Sequence, residues 1–158
     1  MSNRQASSKH CFVCVVENPH GLHLVFHQTG PGEVTADYVA PDHFQGYPGI
    51  VHGCIVAAML DEISGRAFMD DDPGKPRFMF TARLELRYRR NVPVSQPLRL
   101  VGRAIKSKGR TATATWQIFG PDVVLLAEAE ALLVDIPGEA LDSEVLENLG
   151  WKVYPDEK

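Results

Sequence analysis

His52, Gly53 and Asp61 lie in one stretch, PGIVHGCIVAAMLDEISGRAF, where helix-forming residues and chemically capable side chains coincide. A carboxylate can act as a general base or as a nucleophile once its surroundings favour that role. Glu62 stands four residues before Arg66, the favourable order for an ion pair on a helix surface, so its charge has a structural use. Asp61 has no such partner in sequence. A second group of interest is Cys11-x-x-Cys14, with His10, His20 and His23 nearby. Two cysteines at this spacing suit zinc or a redox dithiol. No second ligand pair follows at a recognisable spacing, and no strand-loop-helix pattern surrounds the cysteines. The segment, with Asn18-Pro19-His20-Gly21 behind it, therefore reads as turn chemistry, and no metal or cofactor is expected.

The element that must hold Asp61 is a helix. No strong breaker follows Gly53 until Gly65, so the helix is expected from about residue 52 to residue 69, a length of about 27 Å. Stepping at ~100° per residue places Val56, Met59, Leu60 and Ile63 on one side, with Ala57, Asp61, Ser64 and Phe68 on another. Apolar residues occur nearly all round. That is a core helix, and it predicts a partly desolvated Asp61 on a face of small residues.

The remaining chain reads as strands. Residues 22–27 and 33–39 alternate and are joined by Thr29-Gly30-Pro31-Gly32, a hairpin signal. Residues 40–51 form a loop feeding the helix, and the acidic run Asp70-Asp71-Asp72-Pro73-Gly74 ends it. From Arg77 a long strand follows. In it Phe78, Phe80 and Ala82 oppose Met79 and Thr81, and Leu84, Leu86 and Tyr88 then alternate with Arg83, Glu85, Arg87 and Arg89. Strands at 98–106, 111–119 and 123–134 come next, joined by short turns. Residues 1–9 are polar and expected to be poorly ordered. Residues 138–158 form a C-terminal extension, with a short helix at 143–149 and with Trp151 and Tyr154 free to dock. The pattern predicts one α+β domain over residues 1–158, an antiparallel sheet of about six strands around one long central helix.

Composition narrows the classes of function. A chain of 158 residues with net charge −4 is one domain, and its charge argues against a general nucleic-acid binder. Three cysteines in a chain that opens on polar residues imply a reducing, cytoplasmic setting. The run VVLLAEAEALLV is broken by Glu128 and Glu130, so no membrane span is expected.

His52-Gly53, eight residues, then Asp61, together with QGYPGIVHG and AAMLDE, resembles the active-site helix of hotdog-fold acyl-CoA thioesterases of the phenylacetate-pathway type, within the 4-hydroxybenzoyl-CoA thioesterase superfamily. The resemblance runs from about Cys11 to Pro137. One departure is Cys54, where the family usually has a second Gly. The resemblance implies a hotdog fold, paired edge to edge into a homodimer or homotetramer with active sites between subunits, and an acyl-CoA substrate. It casts Asp61 as base or nucleophile and the Gly53 N–H as oxyanion donor at the helix N-terminus. His52 then orients the carbonyl or the loop, or serves only as a structural helix-end residue. Thr81 falls where such enzymes carry a Ser or Thr reaching across the dimer interface, although an ordinary strand threonine fits the pattern equally. Gln45 is a further candidate for polarising the carbonyl, and Cys54 for narrowing the pocket. Arg103, Lys106, Lys108 and Arg110 cluster at one predicted hairpin as candidates for the CoA phosphates, with Arg87, Arg89 and Arg90 as the alternative cluster.

Two rivals share this fold. A β-hydroxyacyl dehydratase motif starting at His43 requires an acid where this chain has Ala57, so that reading lacks its second catalytic group. A non-catalytic acyl-CoA sensor would have no use for Asp61 and would usually carry a DNA-binding segment.

Overall fold

The computed structural model describes residues 3–14, 16–69 and 76–155. Its strands are β1 (Asn3–Arg4), β2 (His27–Gly30), β3 (Glu33–Val39), β4 (Met79–Tyr88), β5 (Pro97–Lys108), β6 (Thr111–Phe119) and β7 (Leu125–Asp135). They form one open antiparallel sheet in the order β1-β2-β3-β5-β6-β7-β4, so among the described residues β4 is an edge strand hydrogen-bonded only to β7. The main helix, α1 (Gly53–Arg66), lies across β4 to β7, and a short α2 (Ser143–Asn148) follows the sheet. This is the hotdog fold, and the sheet has one strand more than the six expected because the N-terminus adds β1.

Alternation decides which face meets the helix. In β6, Ala112, Ala114, Trp116 and Ile118 are buried, and in β7, Ala127, Ala129, Ala131 and Leu133 are buried. The alanines leave room for α1 to settle onto the sheet. Gly102 in β5 allows a close approach, since a Cβ there would meet Ile63 Cγ1 of α1 and Val34 Cγ1 of β3 at 3.1 Å each. Val56, Met59, Leu60 and Ile63 all lie at 1% exposure or less, as the periodicity predicts. Burying four such side chains is worth roughly 6 to 12 kcal/mol of transfer free energy. The helix therefore stays in place because of its packing rather than its propensity.

Several boundaries differ from the sequence reading, each for a local reason. The strand expected at 22–27 begins only at His27. Leu22, Leu24 and Phe26 are buried, but their backbone serves the cysteine loop: Leu22 N–H donates to Phe12 O (2.8 Å) and Leu24 N–H to Val13 O (3.0 Å). β7 starts at Leu125 because Asp122 and Val123 turn the chain with φ of 60° and 58°. The helix stops at Arg66, and Asp70-Asp71-Asp72-Pro73-Gly74 lies outside the described residues. Residues 3–9, expected to be loose, are instead tied down. Asn3 and Arg4 pair with β2, Gln5 and Ser7 are buried, and Ser7 bridges to Lys152. The C-terminal extension docks on its own body, with the Trp151 ring edge-on to Phe78 at 5.1 Å between centroids.

Candidate active site

The loop before α1 is held by short contacts. His52 N–H donates to Phe44 O (2.8 Å), and Gln45 Oε1 accepts from Gly49 N–H (3.1 Å), where the chain turns with φ of +78°. Gln45 thus has a structural task in closing the loop. It lines neither of the concavities described below.

His52 is the helix N-cap. Its Nδ1 accepts from Cys54 N–H at 3.1 Å, and its carbonyl accepts from the N–H groups of Ile55 and Val56 at 2.9 and 3.1 Å. With Nδ1 accepting, a neutral imidazole carries its proton on Nε2. The first turn's donors are then mostly spoken for. Gly53 N–H donates to no group among the described residues, so it is the free donor at the positive end of the helix dipole.

Tyr88, at the end of β4, reaches back to this point, its hydroxyl donating to Gly53 O at 2.9 Å. Desolvation, and then the nearby Cys54, raise the Tyr88 hydroxyl above the usual phenol value, which keeps it a donor at neutral pH. On one side of this contact is a concavity of about 480 Å³ lined by residues including Gly46, Tyr47, His52, Gly53, Val56, Tyr88 and Arg90. On the other, Cys54, Ala57, Ala58, Asp61 and residues Thr81, Ala82, Arg83 and Leu84 of β4 line a second, more open one, also about 480 Å³. Asp61 and Thr81 thus share one hollow.

Thr81 is there because of a bulge. It pairs with Leu133 while Arg83 pairs with Leu132, leaving Ala82 as the extra residue. Residues paired directly across an antiparallel ladder point to the same face. Leu133 is buried, so Thr81 faces α1 together with Leu84, Leu86 and Tyr88, whose partners Ala131, Ala129 and Ala127 are buried too. Strict alternation puts Thr81 on the opposite face, and the extra residue reverses that.

Asp61 itself is exposed in the single chain, contrary to the desolvation expected from its face of the helix. Ala57 beside it is half-buried, whereas Ser64 is buried and bonded through its hydroxyl to Asp61 O. The exposure follows from β4 being an edge, because no strand among the described residues lies beyond it to cover the hollow.

The basic residues divide by strand. Arg103, on β5 and three strands from β4, is committed to Glu33 (Nε to Oε2, 3.0 Å), and Lys106, Lys108 and Arg110 sit exposed at the turn end of the β5–β6 hairpin. Arg89 pairs with Glu128, while Arg90 lines the first concavity beside His52 and Gly53. Sequence reasoning named Arg90 only within the alternative basic cluster and left Tyr88 out of the site. The signal for Tyr88 was its place in the Leu84, Leu86, Tyr88 alternation, which aims it at the helix.

A free Gly N–H at a helix start, a carboxylate two turns on and a hydroxyl on the neighbouring strand are the groups that attack on an activated carbonyl requires. The chain belongs to the thioesterase superfamily, whose family model matches residues 48–127. Among solved structures it is 33% identical to a thioesterase superfamily protein, with a TM-score of 0.67, covering 75% of this chain and 57% of that one. The chain therefore spans little more than half the length of that relative. It is 25% identical to a phenylacetic acid degradation-related protein from Ralstonia eutropha (TM-score 0.63, 72% of this chain and 85% of that one). A protein from Streptococcus mutans solved with acetyl-CoA bound shares the fold at 17% identity (TM-score 0.64, 70% of this chain and 86% of that one). No curated protein matches the chain. No helix among the described residues is long and apolar enough to cross a membrane.

Proposed function

We propose that the protein hydrolyses an acyl-CoA thioester to the free acid and CoA, working as a homodimer or a higher homo-oligomer in the cytoplasm. The observation that carries this reading is the shared hollow of Asp61 and Thr81, one helix face away from the unpartnered Gly53 N–H. The thioester carbonyl oxygen sits against Gly53 N–H, where a fixed donor and the helix dipole favour the negative charge that develops on attack. Asp61 takes a proton from the attacking water and passes it to the departing CoA thiolate; if Asp61 instead attacks the carbonyl carbon, the thiolate leaves with a proton from solvent and water then cleaves the acyl–Asp61 anhydride to the free acid. His52 holds the turn by capping it, and Tyr88 fixes the carbonyl of Gly53, so both position the donor. Cys54 bounds the hollow on the Gly53 side.

β4 offers an unpaired edge ten residues long, with Phe80 60% exposed on it. Such an edge invites a second strand. Joining two copies there covers Asp61 and brings a partner's Thr81 toward the same hollow. Arg90 is the cation best placed for the CoA phosphates, since it lines the concavity that opens from Gly53. Arg103, Lys106, Lys108 and Arg110 serve that purpose only if the oligomer brings a partner's hairpin to the site. The streptococcal protein's bound acetyl-CoA supports the choice of ligand only in that the same fold accommodates it.

The test is hydrolysis of short, medium, long and aromatic acyl-CoAs, followed by thiol release, for wild type and Asp61→Asn. The variant should lose about 10²- to 10⁴-fold in turnover, the loss expected for a catalytic base, with its circular dichroism unchanged. Undiminished turnover in Asp61→Asn would remove the mechanism. No turnover by wild type on any substrate, with tight acyl-CoA binding, would establish the sensor reading instead.

A further inference from the structure

Outside the hollow, the N-terminal segment brings two cysteines against Glu62 of α1. Cys11 Sγ, Cys14 Sγ and a Glu62 carboxylate oxygen all lie within 4.8 Å of one another. We propose that Cys11, Cys14 and Glu62 bind a thiophilic divalent cation, zinc by preference, which clamps the N-terminal segment to the central helix.

The local geometry is that of a prepared ligand set. Cys11 Sγ accepts the N–H groups of Val13 (3.3 Å) and Cys14 (3.4 Å), so the turn aims two backbone donors at one sulfur, an arrangement that stabilises a thiolate. Glu62 divides its oxygens. Oε1 accepts from Arg66 Nε at 3.0 Å, while Oε2 faces Cys11 Sγ at 3.9 Å. A ligating carboxylate anchored through its other oxygen is a recurrent feature of metal sites, because the outer partner fixes its orientation. The anchor is itself rigid: Arg66 is fully buried, donates to Ala6 O at 2.9 Å and stacks on Phe26 with Cζ 4.3 Å from the ring centroid. The loop carrying the cysteines is fixed as well by the backbone bonds from Leu22 and Leu24.

Charge and ligand type narrow the occupant. Two thiolates and one carboxylate beside one guanidinium are balanced by a single divalent ion, leaving a half-buried cluster neutral. Sulfur ligands favour zinc over magnesium or calcium. Cys14 is buried and Cys11 half-buried, so the fourth tetrahedral position opens toward Cys11 and takes a water. On binding, each thiol gives its proton to solvent as its sulfur–metal bond forms, and no group is oxidised or reduced. Spacing along the chain does not display this cluster, because its third member comes from a distant helix rather than from a second cysteine pair.

The probe is cobalt(II) added to the full chain, reduced and stripped of metal with a chelator. One cobalt per chain should bind, with a thiolate-to-metal charge-transfer band and the strong visible bands of a tetrahedral site, and zinc should displace it. Cys11→Ser and Cys14→Ser should each abolish the charge-transfer spectrum, and Cys54→Ser, a distant exposed thiol, should leave it intact. Glu62→Gln should weaken cobalt binding about tenfold or more. Should that variant fail to fold, the serine variants carry the test, with their circular dichroism checked against wild type. A folded, reduced chain that takes no cobalt, or binds it equally without Cys11 and Cys14, overturns the proposal. Recovery of the chain from aerobic, zinc-supplemented growth with a Cys11–Cys14 disulfide and no metal also overturns it.

Discussion

Arg66 allows a prediction whose sign depends on which partner of an ion pair is removed. Its side chain has no exposed surface, whereas the side chain of Glu62 keeps 22% of its own. Arg66 Nη2 lies 3.0 Å from Glu62 Oε1 without a hydrogen bond of its own, so that contact is purely electrostatic, and Nε makes the directed bond to the same oxygen. In Glu62→Gln the guanidinium stays buried with only neutral acceptors, the substituted amide oxygen, Ala6 O at 2.9 Å and Gln5 Oε1 at 3.5 Å. An uncompensated buried charge costs about 3–5 kcal/mol. In Arg66→Met the side-chain volume remains against Phe26, and the carboxylate left behind reaches water, so the loss is about 1–3 kcal/mol from acceptors deprived of a donor. For a domain of this size each kcal/mol moves Tm by about 2–4 °C, which gives a fall of about 6–20 °C for Glu62→Gln and about 2–12 °C for Arg66→Met. The double variant, with neither charge, should melt near or above Glu62→Gln. Thermal denaturation followed by circular dichroism in a chelating buffer separates this effect from metal binding. If Arg66→Met melts below Glu62→Gln, or the double variant falls by the sum of the two, the guanidinium does not depend on Glu62 as argued.

Two further predictions concern the edge of the sheet. Thr81→Ala should lower turnover by about 10²-fold, as for the loss of one positioned polar group. Equimolar mixing of Asp61→Asn and Thr81→Ala chains should then restore activity well above either variant if Thr81 acts on the partner's Asp61, and none if it acts within its own chain. Amide hydrogen exchange should show slow exchange at consecutive residues throughout β4. Fast exchange at alternate residues, with a monomeric mass by sedimentation, would leave β4 a free edge and sink the dimer.

What the sequence disclosed follows from which forces act locally. The apolar face of α1 and the alternation of β6 were legible because each is set by burial within one element, so Met59, Leu60, Trp116 and Ile118 sit where their periods place them. The Asp61 face was misjudged for a related reason. Small residues mark close packing, but in this chain the packing neighbour on that flank is the rim of an open sheet, so the carboxylate is exposed in the single chain. Thr81 shows the limit of period-two reasoning. A single extra residue, Ala82, inverts the face of everything before it, and nothing in the composition of MFTARLELRY announces the bulge. Thr81 was reached by counting back along the strand from Tyr88 to the position where the resembling enzymes carry a Ser or Thr, a count that gives the position but not the face. The cysteine loop is a different case, since its neighbour Glu62 belongs to another element and had already been explained by Arg66. The structure shows that one carboxylate serves both, with Oε1 given to the guanidinium and Oε2 turned to the sulfur, so an explanation that satisfies half of a bidentate group leaves the other half to be accounted for.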